Sequence, residues 1–163
     1  MATARLSIRT LLTERCNLAC VFCHNEGQPS TSVQMSMPPE VLLRAVRAGA
    51  AVAPWVTVKL SGGEPTLHPQ FLEYLSAAVA AGANEVAVIS NAHRLLPLLG
   101  ALERCPRLRF SVNVPSCDQT VYRRLTGAPL DIALRNIRAL VAAGGSVSLN
   151  AYQRSGNRVV LFD

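Results

Sequence analysis

Five times along this chain a short β-branched, apolar run gives way to a longer segment with apolar residues at helical spacing. No other feature constrains the fold as much. The strand-like runs are RLSIRTLL (5–12), WVTVKLSGG (55–63), EVAVIS (85–90), LRFSVNV (108–114) and GSVSLNAY (145–152). Residues 37–52, 69–82 and 94–103 read as helices, and 118–143 as a helix broken near TGAP. Pro38 and Pro39 sit in the first turn of the first helix, where missing N–H groups cost little, with Ser36 near its cap; Gly82 stops the second. Each connection is long enough for a right-handed helical crossover, so the strands are expected to run parallel. Five are too few to close an eight-stranded barrel. The expected fold is therefore α/β, a partial (βα) barrel of about five parallel strands. After the fifth strand, RSGN (154–157) signals a turn and RVVLF (158–162) is again β-branched. Too few residues intervene for a helix, so a short C-terminal antiparallel strand is expected there, as a hairpin on the fifth.

At 163 residues, half of them hydrophobic and only 16% charged, the chain can bury a sizeable core and reads as one domain, 1–163. No apolar run reaches transmembrane length, and MATARLSIRTLLTERC lacks a signal-peptide core and cleavage site. The expectation is a cytoplasmic protein with no membrane partner. The net charge of +6 rests on scattered arginines, with Lys59 the only lysine. Without a basic run or interleaved aromatics, nucleic acid is not an expected partner. A small anionic substrate suits the charge.

Three of the five cysteines crowd into CNLACVFCHNEG (16–27). A disulfide knot fits a reducing compartment and an odd cysteine count poorly. CVFCH (20–24) matches the pattern for haem attachment, but leaves Cys16 without a task. Zinc on Cys16, Cys20, Cys23 and His24 would ask adjacent residues 23 and 24 to fill two corners of one tetrahedron. Three thiolates in a short loop can instead hold three irons of a [4Fe–4S] cube, leaving the fourth iron open to a substrate. Further polar or glycine-containing motifs follow the later strands: SGGEP (61–65), SNA (90–92) and NVPS (113–116). In parallel α/β barrels, that end of the strands carries the chemistry.

C-x-x-x-C-x-x-C, with Phe22 before the last cysteine, followed on the next strand by SGGEP, resembles the signature of the radical S-adenosylmethionine (SAM) enzymes. The resemblance covers nearly the whole chain. TERCNLACVFCHNEG, SGGEPTLHPQF, ISNAHRLL, FSVNVPSCDQTVYRRLTG and GSVSLN run in an order similar to the GTP 3′,8-cyclase-like branch, which builds the molybdenum-cofactor precursor. It implies a [4Fe–4S] cluster on Cys16, Cys20 and Cys23, and SAM held by Phe22, Gly62, Gly63, Glu64, Asn91, Ser111 and Asn150. Glu64 is expected to accept from the SAM ammonium, and glycines 62 and 63 to let backbone approach it without a Cβ. It further implies reductive cleavage of SAM to a 5′-deoxyadenosyl radical, with the electron from a donor such as flavodoxin or ferredoxin. Arg9 matches a family arginine on the substrate side, and the implied substrate is a nucleotide-like or other small anionic molecule. A peptide-modifying radical enzyme and a non-catalytic cluster- or zinc-binding module remain as alternatives.

The chain departs from that branch in two places. Asn113 stands where an Asp is usual, and the chain stops at Asp163 without the second cysteine triad of the cyclases. A C-terminally short core is therefore expected. A hairpin strand would not reproduce the family's sixth parallel strand, so slow, uncoupled SAM cleavage is expected of it. Cys105 and Cys117 read as small buried thiols, His68 and His93 as local helix caps, and Arg123 and Arg124 as an exposed helix face.

Overall fold

A computed structural model describes residues 4–23, 37–105 and 107–151. The five expected strands are present as β1 (Arg5–Leu11), β2 (Trp55–Ser61), β3 (Glu85–Ser90), β4 (Leu108–Asn113) and β5 (Ser146–Asn150). They form one sheet in the order β1-β2-β3-β4-β5, every pair parallel. Helices α1 (Pro39–Val52), α2 (Phe71–Ala80), α3 (Leu95–Arg104), α4 (Gln119–Thr126) and α5 (Leu130–Ala142) fill the connections. Right-handed crossovers that always step the same way place their helices on one face of the sheet, and the sheet curls as a barrel wall.

Burial follows from that winding. Val56, Val58 and Leu60 of β2, Val86 and Val88 of β3, and Leu108, Phe110 and Val112 of β4 turn to the helices. There they meet Leu42, Val46, Leu75, Ala78, Leu98, Ala133 and Leu140 in one apolar core. Each fully buried Val, Leu or Phe side chain contributes roughly 1.5–3 kcal/mol. The alternate residues point the other way and are mostly polar on β2 and β4, while β3 adds Ala87 and Ile89 to Glu85. Arg5 lies over the Trp55 ring at 4.9 Å. Arg109 pairs with Glu85 at 3.1 Å. Arg9 stands beside Lys59 in register.

Local chemistry sets the helix ends. Asp118 Oδ1 caps α4 by accepting from Val121 N–H at 2.8 Å, and Gly127 ends that helix with φ 76°. The break near TGAP thus falls where expected, with Pro129 opening α5. Pro38 is the N-cap of α1 and has no side-chain cap bond; Ser36 lies outside the described residues. Helix α2 starts two residues later than expected, at Phe71, because residues 65–67 form a short 3-10 turn first. The hairpin strand expected over 158–162, and His24, also lie outside the described residues. Among the described residues no helix is long and apolar enough to cross a membrane.

Candidate cluster and cofactor site

The loop after β1 carries the cysteines, and two other segments hold its backbone in place. Gly63 N–H donates to Thr13 O and Glu64 N–H to Arg15 O, both at 2.8 Å. On the far side, Ala19 N–H donates to Thr126 O and Val21 N–H to Leu125 O, at the end of α4. A Cβ on Gly62 would run into Thr13 O, and one on Gly63 into Arg15 O. Gly62 also has φ 139°, which disfavours any side chain. The two glycines therefore admit the cysteine loop's own backbone.

Cys16, Cys20 and Cys23 are free thiols, each partly exposed, and all three line one cavity of about 390 Å³. Phe22, Gly62, Gly63, Asn91, Asn150 and Arg9, all singled out from sequence, line it too. Arg9 Nη2 donates to Ser61 Oγ at 3.3 Å. Asn150 Nδ2 donates to Ser111 Oγ at 2.9 Å and to Asn113 Oδ1 at 3.2 Å. Asn113, the departure from the branch pattern, lines the cavity, whereas Ser111 lies outside its lining. Arg9 is the only Arg, Lys, Asp or Glu among the described lining residues.

Glu64 has a different setting from the one expected. Its side chain is 1% exposed and outside the cavity lining. It accepts from Thr66 Oγ1 at 2.6 Å, Thr66 N–H at 3.3 Å, Ser90 Oγ at 2.9 Å and Asn91 N–H at 2.9 Å. Burial pushes its pKa up, and these donors, led by Thr66, pull it back. The physical cause is local. Glu64 caps the 3-10 turn, so its carboxylate folds back over Thr66 and across to the end of β3.

Two further expectations change. Cys117 is exposed, not buried, because it follows Pro115 and Ser116 in the turn before α4; Cys105 is buried as expected. His93 does not cap α3, whose N-cap is Arg94. Its Nε2 lies 3.1 Å from Tyr122 Oη, and burial lowers its pKa. Tyr122 is pushed up to about 12, by burial and then by nearby Cys20. No local pattern signals this pair. His68 does act locally, its Nδ1 accepting from Gln70 N–H at 3.1 Å. Arg123 and Arg124 are exposed.

The family model for the radical SAM superfamily matches residues 10–154. The chain belongs to that superfamily. Among curated radical SAM relatives, a "Probable GTP 3′,8-cyclase" of Methanosarcina mazei is 34% identical over 84% of this chain and 42% of its own length. One of Methanopyrus kandleri is 34% identical over 85% and 44%. This radical SAM chain thus spans less than half the length of these relatives. Two solved structures share the fold. Streptococcus suis SuiB bound to S-adenosylmethionine has a TM-score of 0.72 at 19% identity, over 90% of this chain and 33% of that one. Native anSMEcpe with bound AdoMet has a TM-score of 0.73 at 15% identity, over 90% and 43%. Both confirm the partial barrel.

Proteins of the radical SAM superfamily use a [4Fe–4S] cluster and SAM, and the residues present fit the cluster. Burial raises the pKa of Cys16, with repulsion from Glu64 and then Cys23 adding, and burial raises that of Cys20 to about 11, with repulsion from Cys16 and Cys23 adding. Thiolates crowded in this way need a compensating cation, which iron supplies. No three Cys, His, Asp or Glu side chains among the described residues gather closely enough to share a single ion. A cube asks for no such convergence, since each thiolate binds its own iron.

Proposed function

We propose that this chain forms the core of a radical SAM enzyme acting on a nucleotide-like or other small anionic substrate. The observation that carries the reading is that Cys16, Cys20 and Cys23, the Gly62–Gly63 turn and Arg9 line a single cavity. Cys16, Cys20 and Cys23 would ligate three irons and leave a fourth without a protein ligand. When bound together, cluster and SAM supply a 5′-deoxyadenosyl radical for hydrogen abstraction. Gly62 and Gly63 offer backbone at the cavity wall, beside Phe22, Asn150 offers its carboxamide to polar groups of SAM, and Asn91 borders the same wall with its carboxamide nitrogen turned to the cysteine loop. Ser111 orients the Asn150 carboxamide, and Glu64 acts from behind the wall. Arg9 supplies the positive charge that favours an anionic substrate, and the names of the curated relatives support a nucleotide. A flavodoxin- or ferredoxin-type donor would deliver the electron, in a reducing compartment such as the cytoplasm, where free thiols persist.

The test is anaerobic reconstitution with iron and sulfide, followed by SAM and dithionite. The expected result is a brown protein that releases 5′-deoxyadenosine. Cys16→Ala, Cys20→Ala and Cys23→Ala should each abolish colour and product, while Cys105→Ala and Cys117→Ala keep wild-type iron. A colourless protein carrying one zinc would overturn the proposal.

A further inference from the structure

Asn91 lies at the end of β3 beside the cavity and is only 8% exposed, and its hydrogen bonds run to neighbouring protein groups. Its backbone N–H is fixed by Glu64 Oε2 at 2.9 Å, and its Oδ1 accepts from His93 N–H at 3.0 Å. With both groups tied, the carboxamide nitrogen faces the cysteine loop. Nδ2 donates to Asn17 Oδ1 at 2.8 Å and, more weakly, to Cys16 Sγ at 3.8 Å. Leu18 N–H aims at the same sulfur from 3.4 Å. Two N–H donors therefore converge on the first cysteine of the triad.

We infer that Asn91, set by the buried Glu64 carboxylate, is a positioning residue for the cluster loop that also tunes the ease of cluster reduction through Cys16. This rests on the cluster reading above. Hydrogen bonds to a cluster's sulfurs stabilise its reduced, more negative state and so raise its reduction potential. In the same way, the Glu64 carboxylate shapes the site through Asn91.

The sign of the effect separates this role from a merely structural one. Removing the donor makes reduction harder, whereas opening the site to water makes it easier. The experiment uses the reconstituted chain, Asn91→Ala and Asn91→Asp, with iron counted and the potential measured by EPR-monitored titration with dithionite, no SAM added. Both variants should keep about four irons per chain. Each should show a reduction equilibrium about tenfold less favourable, about 59 mV lower for one electron. An unchanged or raised potential with iron intact overturns the inference. Loss of iron from both variants overturns it as well, whether or not the metal-free chains melt at the wild-type temperature. Absence of a four-iron cluster in the wild type would show instead that the cluster reading itself had failed, and this inference with it.

Discussion

Cys20 shows what its surroundings do to a single thiol. Burial, then repulsion from Cys16 and Cys23, moves its thiol from 9.0 to about 11. At pH 8 that leaves about a hundredth of the thiolate, and greater intrinsic nucleophilicity restores roughly tenfold. Iodoacetamide should therefore label Cys20 of the metal-free chain about tenfold more slowly than an ordinary thiol at pH 8. The rate should keep climbing between pH 9 and 11. Mass-spectrometric labelling across that range checks it, and a plateau by pH 9 would show an unperturbed thiol. Glu64 makes the complementary case. Its carboxylate shares one buried knot with Thr66, Ser90 and Asn91, and the last two line the cavity.

The Gly62–Gly63 turn works as a latch between β2 and the loop after β1. Gly63→Ala would push a methyl into Arg15 O, and backbone on both sides has to yield. Overpacking of this kind costs about 1–3 kcal/mol. Urea denaturation of the metal-free chain should show that loss, and reconstituted Gly63→Ala should hold less iron because the cysteine spacing is disturbed. Normal iron content would mean the loop tolerates the shift. All five strands, and the helices that cross between them, were legible in the sequence because periods of 2 and 3.6 are local signals. The cysteine spacing and the glycine turn were legible for the same reason. The knot that joins them was not. Asn91 and Cys16 are 75 residues apart, and Asn91 and Glu64 are 27 apart. The pairing of His93 with Tyr122 and the exposure of Cys117 depend equally on how α4 packs, which no short window of residues encodes.

For the molecule as a whole, metal and fold are coupled. Ligating thiols must lose their protons, so cluster binding weakens as pH falls. The raised pKa values of Cys16 and Cys20 steepen that dependence, since both are protonated at neutral pH in the metal-free chain. Loading should raise the anaerobic melting temperature by about 10 °C, equivalent to roughly 4 kcal/mol of binding linkage. The gap should narrow when the comparison is repeated at pH 6, and differential scanning calorimetry of both forms checks it. An equal gap at pH 6 and 8 would mean the thiols are already ionised before metal arrives. The bonds from Ala19 and Val21 to Thr126 and Leu125 have a consequence in time. A ribosome delivers the three cysteines early, while the helix end that braces their loop is still unmade. Until α4 emerges, the thiols are spaced only by slack chain and are open to air oxidation or a stray zinc ion. Iron delivery therefore belongs after synthesis has passed Thr126, so the thiols must stay reduced while the residues from Cys23 to Thr126 are being made.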